Sequence, residues 1–394
     1  MHTIVATALE TGTAEQAASK SIKRLLEQLG GTEPVMLSVF ASTQQPLEAV
    51  LGKVSRAFPN SLVLGASSSG EFTERGDEKG SVATFALAGD FKVFAGIGSG
   101  LRADVEAAIS GAVAQLPLSV AGYPHRTAIL LLDPLAGNGE EATLIASSML
   151  GEGARLAGGA AGDDLKMQAT HVGLGERVSS DAVVIAVIFS KAPLGVGVCH
   201  AHRPLSDPLK VTRAEAATVY EVDGRPAWDV WAERTSESAR KRNVDPRTLS
   251  PGELGGYLLR YEAGLATGGG DYKIRAPLSR GSDGSLSFAC GIPQGSTIRI
   301  TESEPAEQVV SARMAARRAV QQTGGVAVAG ALVFDCICRN LILEGEFKTA
   351  VRAISEELGN VPLAGFETYG EIALDAGDMS GFHNTTTVVL TFPK

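Results

Sequence analysis

Apolar residues along this chain follow two alternating periods. Ile22, Leu25, Leu26 and Leu29 fall at i, i+3, i+4 and i+7 and are followed by Gly30-Gly31, which predicts an amphipathic helix ending at the glycine pair. An apolar run at 35–40 predicts a short buried strand. Leu47, Val50, Leu51, Val54 and Phe58 trace a second helical stripe, closed by Pro59-Asn60, and 61–64 predicts the next strand. That strand runs into Gly65-Ala66-Ser67-Ser68-Ser69-Gly70-Glu71-Phe72, small residues bounded by glycines. The pattern is a β-α-β unit that ends in a tight loop.

The same pattern returns near the other end. Shifted by 300 positions, 47–72 aligns without a gap on 347–372, and Ser55, Asn60, Gly65, Gly70 and Glu71 recur as Ser355, Asn360, Gly365, Gly370 and Glu371. Matching apolar phases make duplication the better reading. A looser copy lies between them: a strand at 127–132, a helix at 138–150, then a strand leading to Gly158-Gly159-Ala160-Ala161-Gly162-Asp163-Asp164. Each loop is followed by another β-type run, at 82–87, 182–189 and 386–392. The predicted fold is α/β, with repeated β-α-β units and mixed sheets in two halves.

Between 205 and 300 the texture changes. Short β-type runs at 272–276, 286–289 and 297–300, separated by Gly, Ser and Pro turns, predict an antiparallel meander in the C-terminal half. Pro204 and Pro208 suggest a boundary, giving expected domains of 1–210 and 211–394.

Composition narrows the class. The 394 residues carry a net charge of −9, which argues against a nucleic-acid footprint. No apolar run approaches the roughly 18–20 residues of a membrane span, and the N-terminal residues lack a signal-peptide pattern, so a cytoplasmic protein is expected. Four cysteines, Cys199, Cys290, Cys336 and Cys338, form no disulfide framework.

Six stretches in order (65–71, 158–164, 198–204, 220–227, 334–339 and 365–372) resemble the FIST family, a sensory module. The resemblance covers nearly the whole chain and both halves of that family. It implies a signal-transduction sensor that binds a small, amino-acid-like metabolite. Stand-alone relatives of this length imply an alternative: a haem-binding nitric-oxide sensor acting on a partner histidine kinase. Two positions depart from the family: Ala66 stands where cysteine is common, and Cys336-Ile337-Cys338-Arg339 replaces a Cys-x-Gly-Arg pattern.

The candidate ligand-binding set is Ser67, Ser68, Gly70, Glu71, Gly162, Asp163, Cys336, Arg339, Thr368, Tyr369 and Glu371. Small residues let backbone N–H groups approach a ligand, the hydroxyls bond it, and the acids receive an ammonium group or cap local donors. The plainer alternative is that glycines and acids only close turns. No loop ends in Gly-Lys-Ser/Thr, so none is a phosphate loop. Arg339 could fork onto a ligand carboxylate or pair internally with a glutamate. On a strand, Cys336 and Cys338 would share a face, compatible with buried thiols or with a Cys-dependent enzyme. A haem needs one axial imidazole in an apolar slot; His200, at a position where the family commonly has histidine, ranks first and His383 second.

Overall fold

A computed structural model describes residues 2–267, 272–374 and 381–394. It is a mixed α/β protein, 39% strand, built on one plan used three times. The first unit runs β1 (Ile4–Glu10), α1 (Ala14–Leu29), β2 (Met36–Ser42), α2 (Leu47–Ala57), β3 (Leu62–Ser68), the hairpin β4 (Glu71–Thr73) and β5 (Gly76–Glu78), then β6 (Val82–Ala88). Helix α1 starts at a capping box in which Gln16 N donates to Thr13 Oγ1 at 3.3 Å and Thr13 N to Gln16 Oε1 at 3.1 Å. It ends at Gly30, whose left-handed φ of 57° a side chain would resist.

The second unit repeats the order as β7 (Lys92–Ser99), α3 (Val105–Val113), β8 (His125–Leu132), α4 (Gly139–Leu150), β9 (Ala154–Ala160), β10 (Val172–Leu174), β11 (Arg177–Ser179) and β12 (Ala182–Ser190). The third opens with β13 (Gly195–His200) and is then interrupted. The insertion carries β14 (Arg203–Pro204), β15 (Leu209–Glu215), β16 (Thr218–Val222), β17 (Arg225–Pro226), α5 (Ala227–Arg240), α6 (Pro251–Arg260), β18 (Tyr261–Ala266), β19 (Tyr272–Arg275), β20 (Pro277–Arg280), β21 (Leu286–Phe288) and β22 (Thr297–Glu302). All its strand pairs are antiparallel, and its core gathers Trp228, Trp231, Tyr257, Tyr261 and Phe288. The third unit resumes with α7 (Pro305–Gln321), β23 (Val328–Cys336), α8 (Ile337–Leu343), α9 (Phe347–Glu357), β24 (Leu363–Thr368), β25 (Glu371–Leu374), β26 (Phe382–His383) and β27 (Thr386–Pro393). Position 210, expected to separate two domains, thus falls inside β15, and β13 pairs with β27 across it.

Each unit sends its hairpin away. Strands β10 and β11 extend the first unit's sheet beyond β3, β25 and β26 extend the second's beyond β9, and β4 and β5 extend the third's beyond β24. Each exported hairpin covers an edge that would otherwise be open to foreign strands. The inner faces of the three sheets share one apolar core, where Phe40 stacks on Phe366 at 4.3 Å and Phe85 meets Phe392 at 5.1 Å. Their outer faces are covered by the helix pairs α1 and α2, α3 and α4, and α7 and α9. Because both faces are buried, the central strands read as continuous apolar runs.

Candidate functional site

The three glycine-bounded segments occupy matching places. Gly65, Gly158 and Gly365 pair in register with Val39, Leu130 and Val333 on the neighbouring parallel strand. A Cβ at these glycines would sit 2.4, 2.0 and 2.3 Å from the carbonyl oxygens of those same partners. They are required by close strand packing, not by a turn. Ser67, Ser68 and Thr368 accordingly lie on strand ends, since β3 runs through Ser68 and β24 through Thr368 where a loop is expected from Gly65 and Gly365 onward.

Beyond these strand ends the three segments meet and bond one another. Gly162 N donates to Ser67 O at 2.9 Å and Asp164 N to Ser68 O at 3.2 Å. Ala160 N donates to Gly370 O at 2.7 Å and Tyr369 N to Ala160 O at 3.2 Å. Glu367 N donates to Gly70 O at 2.8 Å and Ser69 N to Glu367 O at 3.1 Å. The result is a closed ring of backbone bonds joining first to second, second to third and third to first. These backbone groups, assigned from sequence to a ligand, hold the units together instead.

The acids beside the ring are enclosed in the same way. Glu71 accepts from Ser81 N at 3.1 Å, from Ser81 Oγ at 2.7 Å and from the Ser68 hydroxyl. Its counterpart Glu371 accepts from Thr386 N at 3.1 Å, Thr386 Oγ1 at 2.8 Å and the Thr368 hydroxyl. Burial pushes both carboxyls up to about 8 against the opposing pull of these donors. In the second unit Val172 opens the exported hairpin as Glu71 and Glu371 do, and Asp133 takes over the bonding: it accepts from Asp181 N at 2.6 Å, Leu135 N at 2.9 Å and the Thr170 hydroxyl. Asp133 was not singled out from sequence; its only signal was an acid closing a strand.

Asp163 anchors the segment 163–171, accepting from Met167 N at 2.8 Å, Gln168 N at 2.6 Å, Ala169 N at 3.0 Å and the Tyr369 hydroxyl. Burial opposes its ionisation, yet Tyr369 and the backbone donors hold it below the ordinary aspartate range.

Arg339 does not reach this region. Its fully buried guanidinium donates to Asp335 Oδ1 at 2.8 Å, Ser311 Oγ at 2.8 Å, the Gln308 carbonyl at 2.8 Å and the Gln308 amide oxygen. Its ion pair is with Asp335, not with a glutamate. Cys336 and Cys338 do not share a strand face, because β23 ends at Cys336 and α8 begins at Ile337. Burial pushes the Cys336 thiol well above its ordinary range, opposite to what a thiolate nucleophile needs.

The two histidines expected as haem ligands both engage the backbone. The His383 ring is held near the Ala373 carbonyl, Nε2 to O at 3.3 Å, and burial drives it down to about 3. His200 Nδ1 accepts from His202 N at 3.2 Å. Neither ring lines the cleft described next.

A cleft of about 640 Å³ opens between the first and second units. Thr43, Gln45, Pro46, Leu47 and Glu48 form one wall, from the β2–α2 connection; Ser67 forms the floor; Asp163, Lys166, Gln168, Ala169, His171 and 178–180 form the other wall. Of the residues singled out from sequence, it is lined by Ser67 and Asp163. Ser67 Oγ accepts from His171 N at 2.9 Å, and Lys166 Nζ donates to Thr43 Oγ1 at 2.6 Å while lying 3.7 Å from Asp164. Gln45 is 5% exposed; its Nε2 donates to Gly12 O at 2.6 Å and Gly80 O at 3.0 Å. Those two carbonyls fix the amide orientation and leave Oε1 buried with no partner among the described residues.

The chain thus consists of three interlocked α/β units around one core, with a polar cleft where the first and second units meet. The chain belongs to the FIST family: the FIST N domain matches residues 36–225 and the FIST C domain residues 227–374. FIST domains are signal-transduction sensory domains. The chain is 31% identical over 191 residues to an uncharacterised protein of Mycobacterium bovis and to one of Mycobacterium tuberculosis, and 30% identical over 193 residues to another from M. tuberculosis. Each match covers 48% of this chain and 48% of the relative, so the matched part is about half the length of those curated relatives. Among the described residues no helix is long and apolar enough to cross a membrane.

Proposed function

We propose that this chain is a cytoplasmic sensor whose amino-acid-like ligand occupies the cleft between the first and second units, and whose bound state is read by a separate signalling protein. The supporting observation is the cleft itself, a polar recess with one wall under conformational tension. In that wall Asp164, Leu165 and Met167 have φ of 55°, 62° and 53°, left-handed values that cost an ordinary residue about 1 kcal/mol each. The segment persists because Asp163 clamps its amides and Asp164 accepts from Ser42 Oγ at 3.1 Å and Thr43 N at 3.0 Å. A ligand touching Lys166 or Gln168 bears on this segment, and Leu165 and Met167, 49% and 52% exposed on its outer side, carry the change to the surface.

The test is a thermal-shift screen of amino acids and related metabolites, run on the whole chain and on Ser180→Trp, which fills the cleft from an exposed position. The expected result is stabilisation of the natural chain by a ligand and loss of that shift in the variant. Equal shifts in both proteins would put the ligand elsewhere.

A further inference from the structure

The second junction offers a comparison for the first. Glu48 and Glu140 are each the second residue of the helix that follows the central strand of their unit, in α2 and α4. Glu140 is engaged from within the chain: Arg275 Nη2 lies 2.6 Å from its Oε2 and Lys273 Nζ 2.9 Å from its Oε1. Both cations come from β19 of the insertion, which enters the junction between the second and third units. Arg275 Nη1 also donates to Phe382 O at 3.3 Å, and Ala276 N donates to Asn384 Oδ1 at 3.4 Å. Asn384 follows β26 as Ser180 follows β11, so the insertion contacts the same wall of its junction that Ser180 forms in the open cleft.

At the first junction no cation among the described residues plays the part of Arg275. Glu48 is exposed on the cleft wall. Lys166, the cation on the facing wall, is turned to Thr43 and Asp164. On the reading that this cleft is the ligand site, we infer that its ligand is a small organic cation, with a guanidinium or ammonium group received by Glu48 as Glu140 receives the insertion's Arg275 and Lys273. An acidic metabolite would set its own charge against Glu48, and a purely apolar one would leave that carboxylate without a countercharge.

Isothermal titration of the whole chain with L-arginine, agmatine, L-citrulline and L-glutamate tests this, repeated with Glu48→Gln and Ser180→Trp. Citrulline keeps arginine's shape and lacks its charge. The expected result is that arginine or agmatine binds at least about tenfold more tightly than citrulline or glutamate, that Glu48→Gln erases this preference, and that Ser180→Trp abolishes binding. Citrulline within about twofold of arginine, or a preference for glutamate, overturns the cation assignment while leaving the cleft a ligand site. Cation binding unchanged in both variants overturns the assignment and the cleft together, as does silence from all four compounds.

Discussion

The junction between the first and second units and the junction between the second and third begin from the same parts and end differently. Each has a glycine held against a neighbouring strand, a helix with a glutamate at its second position, and a hairpin received from the next unit. In one the glutamate faces open space. In the other a strand of the insertion delivers Arg275 and Lys273 onto it. At the third junction the β23–α9 connection is lengthened by α8, whose Asn340 donates to Glu367, the counterpart of Ser67, and the helix begins with Phe347-Lys348, without an acid. The comparison teaches that repetition supplied three equivalent recesses, and that additions to the chain closed off others while the first stayed open.

Several experiments can break that comparison. The largest effect is expected at Arg275, which is fully buried and bridges Glu140 to the Phe382 carbonyl. Arg275→Ala should cost about 3–5 kcal/mol in chemical denaturation, since it empties a buried site and removes a countercharge from Glu140. Millimolar methylguanidine should restore part of the loss, a behaviour a mere packing defect would not show. A variant as stable as the parent would mean that the second junction is not filled in any energetic sense.

The buried acids give the next effect. Glu71 and Glu371 are raised to about 8 from an ordinary 4.5, so the folded state keeps a proton that the unfolded chain releases. Their contribution is therefore full below about pH 4.5 and is lost as pH rises through about 8, at roughly 1.4 kcal/mol per pH unit per group. Denaturation midpoints between pH 5 and 8 should fall with rising pH, and Glu71→Gln or Glu371→Gln should each flatten that slope. An unchanged slope in both variants would show that these carboxyls are ionised in the native state. The second unit carries Val172 at this place and its buried acid at Asp133 instead.

Glu140→Gln should cost about 2 kcal/mol, because it strips the countercharge from a buried arginine and a mostly buried lysine. The same change at Glu48 should move stability by less than about 0.5 kcal/mol, as for other exposed positions without partners to lose. Equal losses at the two positions would erase the distinction between the junctions. Between these lies Asp163→Asn, expected to cost about 1–2 kcal/mol and to speed hydrogen exchange at Met167, Gln168 and Ala169, whose amides it holds.

Much of this architecture can be read along the chain. The helical stripes at 22–29 and 47–58, the apolar strands and the offset of 300 positions all report local burial, which the shared core enforces. The triplicate glycines were visible too, but their cause was not: their constraint is a carbonyl on another strand, a contact that no local pattern encodes. Arg339 shows the same limit in milder form. Its partner Asp335 lies one helical turn earlier in sequence, a spacing open to inspection, whereas Gln308 and Ser311 come from another helix. Pairing partners of the hairpins depend on non-local register and left no trace in periodicity; the change of texture at 205–300 marked the insertion but not that it splits the third unit. Within the candidate site, Ser67 and Asp163 were found through the loop motif. Gln45 and Glu48 were passed over because, singly, a buried glutamine and a first-turn glutamate are ordinary features.

The exported hairpins bear on how the protein comes into being. During synthesis the first sheet must wait for residues 172–179 to emerge before its border is sealed, and the second must wait for 371–383. The third can close only by recapturing residues 71–78, made nearly three hundred positions earlier. A ribosome stalled midway would thus release a chain with raw margins, prone to stick to its neighbours, and maturation should proceed as one late, concerted event once the C-terminal strands are free.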